Sequence, residues 1–316
     1  MSTNISEGKI FNYLDRVFGE QNPIVADIFL TNYCNNQCYY CTYKRWDLHH
    51  NNYYMKFDNF TKYIKRLQEL KVVGFILTGG GEPTVNPDFD KIATYLTQHN
   101  LHWGINTNFN ILKLISPDYL KISLDGYNEQ TYKNNRGVNQ YKNVINNIHT
   151  YIEWKNANHI HTTVGIQMVA TTPNDVLEFY NAHKYLKVDY MSIRPVESTD
   201  GEYYKNKNFN NILDIIDTLN NKDKRIIANF KWKLIGMQEN SCVANWTQLA
   251  INEYGEVMYC CHKPYEIIGN IMDNNILEKK KKYVTNMKMC DIPCRLTAPN
   301  REVKNLLEPK KDIYFI

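Results

Sequence analysis

At 316 residues, 43% hydrophobic and 22% charged, the chain can bury a core for one large domain, or a large one with a small one. Its formal net charge of +4 is modest at this length and gives no reason to expect nucleic acid or a membrane surface as the main partner. Apolar runs such as VVGFIL (72–77) are far shorter than the roughly 18–20 residues of a bilayer span, and the opening MSTNISEGKIFNYLDR has no basic-then-apolar secretory pattern.

A cytoplasmic protein is therefore expected. Taken in chain order, an N-terminal helical segment (1–20) leads to IVADIFLT (24–31), the first of six β-branched or aromatic runs that predict strands. The others are VGFILTG (73–79), LHWGINTN (101–108), YLKISLDG (119–126), HTTVGIQMVAT (161–171) and VDYMSIRPV (188–196). Between the first two, FDNFTKYIKRLQELK (57–71) sets Phe60, Ile64, Leu67 and Leu70 on one face, with Asp58 near its start, and predicts a helix. PDFDKIATYLTQH (87–99), QYKNVINNIHTYIEWK (140–155) and NDVLEFYNAHKYL (174–186) follow the same pattern. Strands alternating with helices predict an α/β fold with a parallel sheet. Six units are fewer than the eight of a closed barrel, so an open, partial (β/α)6 TIM-type barrel is expected over 21–225. Chemistry in such a fold gathers at the C-terminal ends of the strands.

After about residue 200 the pattern changes. DGEYYKNKNFNNILDIIDTL enters one more helix, and WTQLAINEYGEVMYCC breaks into short β-like pieces with Gly255 at a turn. A boundary near 225–235 would leave a small C-terminal domain over 226–316. The lysines at 279–282 read as a solvated helix face, and the many asparagines as drift in composition.

The eight cysteines are spread unevenly, three at 34–41 and five at 242–294. Disulfides are rare in a reducing compartment, so the grouping points to two metal sites. Cys34, Cys38 and Cys41 directly follow the first strand. A structural zinc site wants a closed set of four ligands, and the nearest other donors, His49 and His50, lie in a polar stretch that reads as surface. A cubane 4Fe–4S cluster needs an outer ligand on each iron, so three thiolates leave one iron open to a non-protein ligand. The second strand ends in TGGGEP (78–83), whose glycines let backbone approach a ligand and whose carbonyls can accept from an amine. Ser123 and Asp125 close the fourth strand and Arg136 follows in NNRG; Ser123 and Arg136 are suitable donors for a carboxylate.

These residues carry a resemblance. CNNQCYYC matches the CxxxCxxC signature of the radical S-adenosylmethionine (SAM) superfamily, including an aromatic, Tyr40, before the third cysteine. TGGGEP matches that superfamily's GGE motif on its second strand, and the strand spacing agrees as far as residue 195. The resemblance implies that SAM chelates the open iron through its amino and carboxylate groups. An electron from the cluster would then cleave a C–S bond, giving methionine and a 5′-deoxyadenosyl radical that takes hydrogen from an unactivated C–H bond. It further implies that Gly79, Gly80, Gly81 and Glu82 hold the methionyl amine, that Ser123 and Arg136 approach the carboxylate, and that Ile166 and Gln167 lie beside the adenine. Asn108, ending the third strand, joins Tyr40 in the implied cofactor site. The implied reductant is a flavodoxin or ferredoxin.

Cys242, twelve residues, Gly255, four residues and Cys260 resemble the SPASM and Twitch extensions of some radical SAM enzymes, which carry auxiliary iron–sulfur clusters. Five cysteines ending in CDIPC suit the shorter Twitch version, with a second 4Fe–4S cluster on Cys242, Cys260, Cys290 and Cys294. Zinc on the same four thiolates is the alternative, since spacing does not separate the metals. Cys261 is then left over, either as a hydrogen donor to a substrate radical or as a neighbour that tunes or replaces Cys260. A ligated auxiliary cluster can accept an electron from a substrate radical, which favours oxidation of a sugar- or aminocyclitol-like alcohol. Redox-neutral epimerisation with Cys261 as donor, peptide modification and a non-catalytic iron–sulfur or zinc scaffold are the alternatives. Only 33 residues precede Cys34, short for a precursor-recognition domain, so a small-molecule substrate is expected over a peptide. Asp125, Glu197 and Arg194 are the candidates for binding hydroxyl groups or taking a proton.

Overall fold

The computed structural model describes residues 10–45, 52–195, 209–229, 242–285 and 296–307. Each of the six runs expected as strands forms one. They are β1 (Val25–Phe29), β2 (Gly74–Thr78), β3 (His102–Thr107), β4 (Tyr119–Ser123), β5 (Thr163–Val169) and β6 (Tyr190–Arg194). A seventh, β7 (Ile226–Ala228), follows the helix Phe209–Lys222. Strands β1 to β7 pair in sequence order and in parallel. The chain is thus α/β with a mostly parallel central sheet. Every residue of β1 is buried, as expected of a parallel strand covered on both faces.

The helices bury the stripes that their periodicity marks. In Phe57–Glu69 these are Phe60, Ile64 and Leu67. The helix has no side-chain cap of its own; instead Asp88 Oδ2 accepts from Phe57 N at 3.1 Å, a cap from another element. Helix Pro173–His183 opens on a reciprocal Thr172–Asp175 capping box with proline in its first turn. Between β3 and β4 there is no helix, and the pair Glu129–Arg136 and Tyr141–Ala157 follows β4 instead.

The sheet continues beyond the change of pattern near residue 225–235. Strand β8 (Gln248–Ile251) returns to pair in parallel with β1, in the register Val25↔Gln248 to Ile28↔Ile251. Strands β9 (Glu256–Cys260) and β10 (Lys263–Asn270) extend that edge antiparallel, giving ten strands in the order β10-β9-β8-β1-β2-β3-β4-β5-β6-β7. A second apolar cluster joins the two ends of the chain, packing Ile10, Val17 and Ile24 on Ala244, Trp246 and Val303. One consequence bears on the site: Cys261, just after β9, packs in a small apolar cluster with Phe29 of β1 and Tyr43 of the loop that follows it.

Candidate active site

The loop after β1 is held on three sides. On one, Gly81 N donates to Thr31 O at 2.9 Å and Glu82 N to Tyr33 O at 2.8 Å, stitching the GGGE turn to the loop backbone. A Cβ at position 81 would lie 1.9 Å from the Tyr33 carbonyl oxygen, so glycine is required here for backbone on backbone. On the second side Gln37 N donates to Arg136 O at 2.9 Å, packed against Gly137, whose φ of 71° ends the 129–136 helix in the left-handed conformation. On the third, asparagines pair across the cavity mouth. Asn108 Nδ2 donates to Asn35 Oδ1 and Asn110 Nδ2 to Asn36 Oδ1, both at 2.6 Å. At these positions the asparagines are loop braces, which the reading of them as compositional drift missed.

A cavity of about 380 Å³ opens at the C-terminal ends of the strands. Cys34, Cys38 and Cys41 line it together with Tyr40, Gly79 to Glu82, Asn108, Ser123, Asp125, Arg136, Gln167, Arg194 and Cys261. Ile166 is not on its wall. Its side chain is buried in the main core, and the alternation of β5 turns Gln167 to the cavity instead. Glu197, Cys290 and Cys294 lie outside the described residues.

Several of these side chains are anchored to the protein. The Glu82 carboxylate, 3% exposed, accepts from Thr84 Oγ1, Thr107 Oγ1 and the backbone N–H of Thr84 and Asn108. It ties the glycine turn to the end of β3. Asp125 accepts from Val169 N at 2.7 Å and pairs with Arg136 Nη1 at 3.2 Å. Arg136 also donates to Ser123 O (2.6 Å) and to Cys38 Sγ (3.1 Å). Cys34 Sγ accepts from Asn36 N at 3.4 Å. Hydrogen bonds of this kind to sulfur tune the potential of iron–sulfur clusters.

Burial, then the charge of Glu82, push the Cys34 thiol up to about 12; burial raises Cys38 as well, against the pull of Arg136. A metal ligand must be the thiolate, so only a strongly binding cation or cluster would convert these two. Among the described residues, no three His, Cys, Asp or Glu side chains close on a common centre. The three thiols instead border one cavity, the donor set that suits a cluster on three thiolates. The same wall fits an amino acid head group. Arg136 Nε, a donor, and Asn106 Oδ1, an acceptor, are buried without hydrogen-bond partners, which matches a carboxylate and an amine. Asn106 is absent from the residues picked out by sequence, although its neighbour Asn108 is among them.

The C-terminal cysteines divide between two environments. Cys261 and His262 face the cavity, and the Tyr43 hydroxyl donates to Cys261 O at 3.2 Å across 218 positions of sequence. Tyr43 stands edge-on to Phe29, with ring centroids 5.4 Å apart. Burial, then Cys261, Asp27, Cys41 and Cys260, raise its hydroxyl well above the usual range, so it senses both cysteine groups. Cys260 ends β9, and Cys242 precedes the short helical turn Val243–Thr247. Lys280, from the lysine run read as a solvated face, is buried at 3% exposure. Burial lowers its pKa to about 8, opposed first by Cys260 and Cys242. Its position four residues after the buried Ile276 is a helical-face signal that could have found it. Tyr43 carries no such signal.

Residues 28–182 match the family model described as the Radical SAM superfamily. No curated protein sequence matches the chain significantly. Among solved structures it resembles Streptococcus suis SuiB bound to the precursor peptide SuiA, with TM-score 0.62 and 15% identity over 86% of this chain and 67% of that one. SuiB bound to S-adenosylmethionine matches with TM-score 0.58 and 16% identity over 76% of this chain and 61% of that one, so about two fifths of that chain has no counterpart here. Native anSMEcpe with bound AdoMet matches with TM-score 0.63 and 17% identity over 83% of each chain. Identities this low speak for a shared fold.

Proposed function

We propose that this chain, which carries a radical SAM domain, oxidises an alcohol carbon of a small sugar- or aminocyclitol-like molecule, with a C-terminal iron–sulfur cluster accepting the electron left on the substrate. The single observation that supports this reading is the position of Cys261, next in sequence to Cys260, on the wall of the cavity lined by Cys34, Cys38 and Cys41. In this reading those three thiolates hold a 4Fe–4S cluster and Cys242, Cys260, Cys290 and Cys294 hold the second. When bound, the first cluster and SAM supply a carbon-centred radical able to take hydrogen from a C–H bond.

The chain's own groups bind and orient. Asn106 Oδ1 accepts from the SAM amine and Arg136 Nε donates to its carboxylate. Glu82 keeps the Gly79–Gly81 turn in register with the cysteine loop, and Gln167 offers its amide from β5. Asp125 acts by holding Arg136, both of its oxygens being engaged. Arg194 is left as the candidate for binding substrate hydroxyls, and Glu197 as the candidate for taking the proton. A flavodoxin or ferredoxin would supply the electron that starts the reaction. Anaerobic reconstitution tests the reading: about eight irons per chain, with 5′-deoxyadenosine formed on adding dithionite and SAM, is expected. Zinc in both places and no SAM cleavage would sink it.

A second reading, redox-neutral epimerisation, is favoured by the position of Cys261 on the cavity wall, where its thiol can return a hydrogen atom. Turnover in deuterated water separates the two. Deuterium at the abstracted carbon, lost in Cys261→Ala, decides for epimerisation. The peptides present in the SuiB–SuiA structure and in anSMEcpe with its Cp18Cys peptide support a peptide carbon as the alternative substrate. SAM cleavage stimulated by a peptide and by no polyol would replace the small molecule.

A further inference from the structure

One row of residues across the inner face of the sheet is built around a glycine. Asn106 on β3 pairs with Lys121 on β4, Lys121 with Gly165 on β5, and Gly165 with Tyr190 on β6. Side chains in such a row share a face, and Asn106 and Lys121 both line the cavity. Gly165 leaves its place empty, and the Tyr190 ring lies over it, so that a Cβ there would overlap the ring. The same device recurs where the Tyr119 ring lies over Gly104, its partner on β3. Two glycines thus make room for two rings, and these flank the position from which Lys121 rises. Tyr119 is two residues earlier on the same strand, and Tyr190 lies across Gly165. Burial pushes the Tyr190 hydroxyl up to about 12, so this ring adds no negative charge beside the ammonium.

The charges on the cavity wall are sorted by strand. Glu82 accepts from the hydroxyls of Thr84 and Thr107 and from two backbone N–H groups, while Asp125 holds Arg136 and Val169 N. Asp27 stands on β1, three strands from Lys121. Lys121 and Arg194 stand on β4 and β6, on either side of Gln167 on β5. Cations on a concave, partly dry wall focus their field into the cavity and draw in anions. We propose that Lys121 binds an anionic group, a carboxylate or a phosphate, on the molecule this cavity accepts, with the hydroxyl-bearing remainder lying along Gln167 towards Arg194. The inference rests on the proposed function and deepens it. The substrate becomes a sugar acid or a sugar phosphate, and an aminocyclitol, whose ammonium would meet Lys121, is disfavoured. Lys121 is then a specificity-determining residue.

The test uses the full chain, reconstituted anaerobically and saturated with SAM without reductant, so that binding is read apart from turnover. D-gluconate, D-glucose 6-phosphate and neutral D-glucitol are titrated calorimetrically into the unsubstituted chain, Lys121→Met and Lys121→Arg. At least one anion should bind about tenfold tighter than glucitol, and which one binds separates carboxylate from phosphate. Lys121→Met should lose about tenfold of that affinity and Lys121→Arg should keep most of it, with SAM affinity unchanged in both. Anions binding no tighter than glucitol, no binding of either anion at millimolar concentration, or equal anion affinity in Lys121→Met would overturn the inference. So would a fall in SAM affinity as large as the fall in anion affinity, which would place Lys121 at SAM instead. If the chain neither binds nor cleaves SAM, the proposed function fails, and the same titration run without SAM still decides for or against Lys121. If an anion binds as expected and is not oxidised once reductant is added, the oxidation reading fails and the inference stands.

Discussion

The cysteine loop after β1 is fastened through backbone, amide and glycine contacts, whereas Cys260 ends β9 next to Tyr259, whose carbonyl accepts from the buried Lys280. In the first region the one buried cation, Arg136, is matched by Asp125 at 3.2 Å, with Glu82 also on the wall. Lys121 and Arg194 line the same wall. In the second, Lys280 is buried with no carboxylate partner among the described residues and donates to Asn245 Oδ1 and Tyr259 O. The same ligand type can thus be prepared for different duties by what surrounds it.

The sharpest way to break this comparison is to remove a ligand from each side. Cys38→Ala should lower SAM cleavage by more than about 100-fold, beyond the 10–100-fold that loss of an outer-shell partner costs. Cys242→Ala should leave SAM cleavage measurable and stop product formation. Equal effects of the two on 5′-deoxyadenosine yield would mean that the regions do not have separate duties.

Arg136→Met leaves Asp125 buried without its cation and should destabilise the chain by about 3–5 kcal/mol, read by urea denaturation. Replacing both by Met and Leu should restore most of the stability while SAM binding stays impaired. A control lies away from both cysteine groups. His183 is buried, bonded to Phe179 O and Tyr141 Oη, and burial lowers its pKa to about 4. Between the unfolded value near 6.5 and about 4 only the unfolded chain binds the proton. Stability should therefore fall as pH drops through that window, by up to about 3 kcal/mol. His183→Gln should flatten that part of the stability–pH curve without altering the iron count.

Gly81→Ala meets the Tyr33 backbone and should cost about 1–3 kcal/mol, with loss of SAM affinity. Gly80→Ala has 3.6 Å of clearance to Tyr43 Cδ1 and should change stability by no more than about 0.5 kcal/mol. If both are tolerated, the turn is not clamped to the cysteine loop as described. Tyr43→Phe, which removes the hydroxyl bonded to Cys261 O, should cost about 1 kcal/mol. Faster alkylation of Cys261 in that variant would show that the bridge fixes the thiol's position.

What was legible in the sequence is what local spacing controls. The six strands, the apolar face of helix Phe57–Glu69, the three-cysteine loop and the GGGE turn all depend on residues a few positions apart. Side-chain alternation was within reach too, and it would have chosen Gln167 over Ile166. The pairing of β8 with β1, the bond from Tyr43 to Cys261, the burial of Lys280 and the capping of Phe57 by Asp88 were not legible. Each joins segments whose separation along the chain bears no relation to their distance in space. By itself the sequence determined that three cysteines and a GGGE turn follow neighbouring strands, because the spacing within each loop is local. Only the tertiary structure decided that Cys261 lines that cavity, because a parallel strand pair such as β8 with β1 is set by sheet order and packing, which no local periodicity encodes.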